Sequence, residues 1–440
     1  STLMRSSAAS DVYKRQLLAF IEKSPSPFHA VRAIAERLEQ EGFEYLPETK
    51  PFDVACGGKY YTQRNGSSII AFRIPQDPKG GFQLMASHSD SPAFKVKGEN
   101  PFLTDGNYTR LNVERYGGMI MAPWLDRPLG IAGRVIVQTE NGVRSELVDS
   151  GKNLTMIPNM PIHLNRQLNE NLSYDAQKEL LPVIGGPDAK DHFFEALGCS
   201  AAKEDILGMD LYLYNRVPGT LYGVEEEYVG STRLDDLQCA YGTLEGFLAA
   251  EGGEKISVYC VFDNEEVGSS TKQGAASTFL ADTLERVWYG LGGDALSLKC
   301  AVADSFLVSA DNAHAQHPAH PEKYDPVSRV YMNKGIVIKQ SANQKYTTDA
   351  VSEAVTKKIC REAGVPYQVF ANHSNIPGGS TLGGISTSQV SAASVDIGLA
   401  QLAMHSPYET AGTQDTEYLV QFSKKFYETP LHADEGGFAF

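Results

Sequence analysis

Five places in the 440-residue chain carry metal-capable side chains in one recurring grammar. His88 in MASHSD, Asp235 in STRLDDL, the pair Glu265-Glu266 in FDNEEVG, Asp311 in VSADNAH and His405 in QLAMHSP each close an expected strand or open the loop after it. Taken singly, an Asp after a strand is more often a turn or cap residue, and a His more often a satisfied structural group. Repeated at one structural position, the pattern predicts a shared site, because ligands of open α/β sheets bind beyond the carboxyl ends of the strands. Two histidines and three carboxylates without cysteine suit Zn²⁺, with Mn²⁺ or Co²⁺ as alternatives, in a catalytic rather than a closed structural site. Asp235, Glu266 and Asp311 together with one hydroxide balance two divalent cations. A pair of ions sharing an attacking water is therefore the expected chemistry.

That accounting leaves Glu265 spare. Neighbouring side chains at a turn point in different directions, so Glu266 can face a metal while Glu265 stays free to take a proton from the water and pass it to a leaving amine. Asp90, two residues after His88, is placed to hold the other imidazole nitrogen and fix the tautomer. His314, His317 and His320 form a tempting cluster, but Pro318 and Pro321 forbid a regular helix that would put them on one face. The Gly-rich stretch Asn375 to Gly384 lacks the Lys and the spacing of a phosphate loop and reads as backbone passing close to a substrate.

The elements that must position these residues follow from periodicity. A helix begins at Ser26-Pro27, repeats apolar residues at Val31, Ile34, Ala35 and Leu38, and stops at Gly42. GFQLMAS and KISVYCVF read as buried strands, LKCAVADSFLVSA as a further strand, and LQCAYGTLEGFLAAEG, GAASTFLADTLERVWYGL and DAVSEAVTKKICREAG as helices. PYQVFAN and the region of VSAASVDIGLAQLAM return to the sheet. This alternation predicts an α/β fold with a mostly parallel central sheet flanked by helices. Between about Ser91 and Val229 the character turns to strands and turns, with GRVIVQT, Asn141-Gly142 and VRSELVD reading as a hairpin with a primed turn. The expected organisation is a first catalytic part over 17–92, a β-rich insertion over 93–228 and a second catalytic part over 229–440.

Hydrophobic residues are 42% of the chain and charged residues 21%, the balance of a packed globular protein. A net charge of -15 argues against nucleic acid as a partner, and any acidic substrate would need a local cation. No apolar run is long enough to predict a membrane span. Six cysteines scattered without a CxxC pair predict reduced thiols and a cytoplasmic setting. The opening STLMRSSAASDVYKRQ has no apolar core, so it does not read as a secretory signal, and the regular pattern starts at Leu17.

HSDSPAFKVK, RLDDL, DNEEVGSS, SADNAH and AMHS, with SPSPFHA and KGIVIKQSANQKY, resemble in order and spacing the aspartyl aminopeptidases, from about Leu17 to Tyr427. The resemblance implies a zinc-exopeptidase-like fold with two zinc ions, and removal of N-terminal Asp or Glu from peptides. It implies His88, Asp235, Glu266, Asp311 and His405 as ligands, with Asp235 bridging, and Glu265 as general base. Lys339 matches the lysine that pairs with the acidic side chain of the substrate, and Tyr346 a residue of the same pocket. His163 matches a histidine entering from a neighbouring subunit, with the β-rich insertion as a dimerisation and assembly domain of a homododecamer. The chain departs from the family at Asn375, where Asp is common. A broader dinuclear aminopeptidase, or a deacylase or carboxypeptidase, is the alternative chemistry. An inactive self-assembling particle is the non-enzymatic alternative.

Overall fold

The computed structural model describes residues 2–440, with side chains described from residue 11 onward. Its nine-stranded sheet runs in the order Glu44–Tyr45, Lys59–Arg64, Ser68–Arg73, Ile256–Phe262, Phe82–His88, Phe306–Ala310, Ala393–Gly398, Ile336–Gln340, Tyr367–Ala371. Five neighbouring pairs are parallel and three antiparallel. This is the mostly parallel α/β sheet that the alternation predicts. Ile256–Phe262, Phe82–His88 and Phe306–Ala310 lie side by side and are buried at every residue, which is why they read as continuous apolar runs.

Helices cover both faces. Leu38, Leu244, Ile359 and Phe422 pack one face of the sheet, and Leu280, Leu284 and Ala301 pack the other. Helix Pro27–Gln40 starts where expected, with Ser26 capping the His29 N–H and Pro27 in the first turn. Gly42 follows its end at φ 84. Helix Ala350–Ala363 carries a capping box between Asp349 and Ser352 and closes on left-handed Gly364.

Three local expectations are corrected. LKCAVADSFLVSA is split into helix Ala295–Ala303 and strand Phe306–Ala310. The Asp294–Ser297 capping box starts that helix and outweighs the apolar run. The hairpin Leu129–Thr139/Gly142–Asp149 is present, with Thr139 opposite Gly142. Its turn residues Glu140 and Asn141 are absent from the positive-φ set, so the turn is not the primed type. The regular pattern also starts earlier than Leu17, since helix Thr2–Glu22 includes most of the opening stretch. Tyr13 packs against the core and Gln16 accepts the Tyr241 hydroxyl at 2.8 Å.

Two smaller sheets flank the region where the central strands end. A five-stranded sheet, Gly142–Asp149, Leu129–Thr139, Ile206–Asn215, Ala93–Val96 and Val113–Tyr116, has its own core around Phe94, Trp124, Ile131 and Leu211. A satellite sheet joins Thr220–Tyr222, Tyr228–Ser231, Glu409–Gly412, Ala400–Leu402 and Ala313–His314. No helix among the described residues is long and apolar enough to cross a membrane.

Candidate metal centre

The strand ends meet at one point. His88 is the last residue of its strand, and the buried ladder leaves its ring fully enclosed. Its Nε2 lies 3.5 Å from Asp235 Oδ1, 3.6 Å from Asp311 Oδ1, 3.8 Å from Glu265 Oε2 and 4.0 Å from Asp236 Oδ2. On the far side of Asp235, His405 Nε2 lies 3.1 Å from Asp235 Oδ2 and 3.2 Å from Glu266 Oε2. The structure thus brings His88, Asp235, Glu265, Glu266, Asp311 and His405 together. Ligand atoms of His88, Glu265 and Glu266 lie within metal-binding reach of one another; two further groups are His88, Asp235, Asp236 and Asp311, and Asp235, Glu266 and His405. Asp235 belongs to both of the latter.

The donor set fits divalent cations. His88 Nε2, Asp235 Oδ1, Asp236 Oδ1 and Glu266 Oε1 are buried without a hydrogen-bond partner, an unusual concentration of orphaned polar atoms. Carboxylates outnumber imidazoles here, and burial followed by neighbouring charges acts on them accordingly. Burial pushes Glu265 up to about 9, with Asp311 and Glu266 adding to the rise. Burial and then Asp235 push Glu266 up to about 7. Cations held between these groups would relieve that repulsion.

Asp90 organises the strand-end side. Its Oδ1 accepts from His88 Nδ1 at 3.1 Å and from the Glu265 N–H at 3.1 Å. Its Oδ2 accepts the Glu266 N–H at 3.0 Å and the Tyr116 hydroxyl at 2.7 Å. One buried carboxylate therefore fixes both the His88 ring and the turn carrying the glutamate pair. That turn enters through Asn264 at φ 63, a conformation Asn tolerates, and Asn264 donates to Tyr116 at 3.0 Å.

Asp235 and His405 do not come from the central sheet. Asp235 follows the satellite strand Tyr228–Ser231, and His405, at φ 70, sits in the turn between Ala400–Leu402 and Glu409–Gly412. Each still follows a strand, as the recurring pattern predicts, but a strand of the satellite sheet.

Lys339 is buried on strand Ile336–Gln340, donates to the Asn312 carbonyl at 2.9 Å and lies over the Tyr346 ring at 5.4 Å. It forms no ion pair within 4 Å among the described residues, although Asp311 acts on it electrostatically. Asp396 ties the neighbouring loops, accepting the Thr347 N–H at 2.6 Å and the Thr381 hydroxyl. Asn375 is exposed in the Gly-rich loop and donates its N–H to His373 Nδ1 at 3.1 Å. His163 is exposed and forms no hydrogen bond or ion pair among the described residues, so within one chain it stays outside the cluster.

Sequence reasoning passed over four neighbours of the site. Asp236 accepts the His88 N–H at 3.0 Å, and Tyr116 and Glu409 brace the centre from outside it. His314, set aside with His317 and His320, packs edge-on against Phe370 and lies within electrostatic reach of Lys339, Asp235 and His405. The available signal for His314 was its place three residues after Asp311; the prolines that argued against a cluster lie beyond it.

Residues 20–427 match the family model described as aminopeptidase I zinc metalloprotease (M18). A probable M18 family aminopeptidase 2 of Clostridium novyi (strain NT) is 42% identical over 425 residues, covering 94% of this chain and 98% of that one. A chain in the cryo-EM structure of the Ape4 and Nbr1 complex superposes with a TM-score of 0.91 at 33% identity, covering 96% of this chain and 86% of that chain. The S. cerevisiae mApe1 dodecamer superposes with 0.83 at 28% identity, over 96% of this chain and 97% of that chain. The chain belongs to the M18 family of zinc metallo-aminopeptidases, hydrolases that act at the N-termini of peptides.

Proposed function

We propose that this M18 chain is an aspartyl aminopeptidase, removing N-terminal Asp or Glu from peptides. The observation that carries the specificity is Lys339, a buried ammonium beside the cluster with no carboxylate partner among the described residues. An unpaired cation walled by Tyr346 and Asn312 is suited to an acidic side chain, and desolvation makes such a pair discriminating. His88, Asp235 and Asp311 would hold one zinc ion, and Asp235, Glu266 and His405 a second. Bound there, the ions would supply Lewis-acid polarisation of the scissile carbonyl and a lowered pKa for water. Glu265, its backbone fixed by Asp90, takes the proton of the attacking water and returns it to the departing amine. Asp90 keeps the His88 tautomer that points Nε2 into the cluster.

The assembly reading is supported by the mApe1 dodecamer to which the chain is similar. In it the β-rich stretch 93–228, between catalytic parts 17–92 and 229–440, joins dimers into a homododecamer, and His163 reaches the site of a neighbouring subunit. A cytoplasmic setting belongs to the same reading, supported by six cysteines without a disulfide.

Cleavage of matched peptides with N-terminal Asp, Glu, Leu and Lys tests the specificity, with a chelator control. The expected result is chelator-sensitive kcat/KM favouring Asp and Glu on the order of a hundredfold, collapsing in Lys339→Met, because the acidic side chain is then buried unpaired. N-acetylated peptides should resist. Chelator-sensitive cleavage without acidic preference would leave the M18 chemistry and remove the specificity.

A further inference from the structure

Asp90 gathers the residues that the central sheet brings to the centre. A second buried carboxylate does the same for the satellite sheet. Glu409 Oε2 accepts the Asp235 N–H at 3.0 Å and Oε1 accepts the His405 N–H at 2.8 Å. Glu409 opens strand Glu409–Gly412 and pairs in register with Ser231, the last residue of the neighbouring strand. It therefore sits where the chain leaves one strand toward Asp235 and enters the other from His405.

Both departures use backbone that non-glycine residues adopt sparingly: Arg233 at φ 55, Ala403 at φ 56 and His405 at φ 70. Something must hold these segments, and each oxygen of Glu409 holds one. The carboxylate is 1% exposed and forms no ion pair among the described residues. Arg233 acts on it electrostatically without pairing with it; a buried carboxylate without a close ion pair is unfavourable on packing grounds alone, and it becomes reasonable where cations bind a few ångströms away.

We infer that Glu409 is a positioning residue of the metal centre, holding Asp235 and His405 in place for the ion they would bind together with Glu266. The inference rests on the proposed ligand set. It makes a sharp distinction between Glu and Gln. A carboxylate accepts both N–H groups, whereas the amide of Gln presents its own NH₂ to one of them. The residue size is kept and one of the two ties is broken.

The test is Zn²⁺ affinity of the metal-stripped full chain, by chelator competition, for the parent, Glu409→Gln, His405→Ala and the double variant. The expected result is that Glu409→Gln weakens one equivalent about 10–100-fold, at least tenfold more than the other. The double variant should lose less than the two single losses combined, because the His405 ring is already gone and only the Asp235 tie still matters. Equal weakening of both equivalents, no weakening, or additive losses would overturn the inference. If the parent binds a single equivalent, the two-ion reading fails. Glu409 is then judged on that equivalent, and unchanged affinity refutes its role. Should Glu409→Gln not fold, Glu409→Asp keeps both acceptor oxygens with shorter reach. It is judged by the same comparison, with selective weakening expected and uniform weakening contradicting.

Discussion

The two histidines of the centre are held by opposite means. His88 ends a fully buried parallel strand, has no exposed side-chain surface, and has its ring fixed through Nδ1 by Asp90. His405 sits in a turn at positive φ, its side chain is 30% exposed, and its ring is held by Asp235 and Glu266 themselves. One half of the site is thus a by-product of the sheet ladder, pre-formed once the core packs. The other half depends on loop conformation and on hydrogen bonds that hold it. The comparison teaches that a site spread over two sheets needs an organiser for each: Asp90 serves the ladder-built half and Glu409 the turn-built half. Asp235 is the point where the halves join.

The largest expected effect falls on Glu265, the residue of the ladder-built half that neither proposed ion takes. Glu265→Gln leaves the two groups of metal-capable atoms that share Asp235 intact and should lower kcat on the order of 10²–10⁴-fold, with zinc content unchanged by elemental analysis. A variant within a few-fold of the parent would move the proton transfer to another group.

Next comes Asp90→Asn, which breaks the ladder-built half. The amide cannot accept from His88 and from both glutamate N–H groups as the carboxylate does. Zinc affinity or activity should fall about 10–100-fold. Because Asp90 also holds the Glu266 N–H, both equivalents should weaken, unlike the one-sided loss expected of the Glu409 variant. Identical patterns from the two variants would erase the distinction between halves.

Much of the ladder-built half is legible in the sequence. The apolar runs ending in His88 and preceding Glu265 and Asp311 place those residues at neighbouring strand ends, because parallel buried strands leave no other exit for polar side chains. Asp235 and His405 look equivalent to them in sequence. The satellite sheet that carries them consists of strands of two to four residues, too short for periodicity to announce. Glu409 and Asp236 carry no motif of their own; their roles arise from backbone N–H groups that only the folded chain brings to them. The helix Ala295–Ala303 reads as strand because apolar residues dominate it, although the Asp294–Ser297 cap is there to be seen. His163 shows a different limit: its proposed role needs a second copy of the chain, which no single-chain geometry contains.

The most direct measurement is anomalous diffraction at the zinc edge from crystals of the zinc-loaded full chain. The account predicts two peaks sharing Asp235, one contacted by His88 and Asp311 and the other by Glu266 and His405. A single peak, or zinc bound away from Asp235, would contradict it.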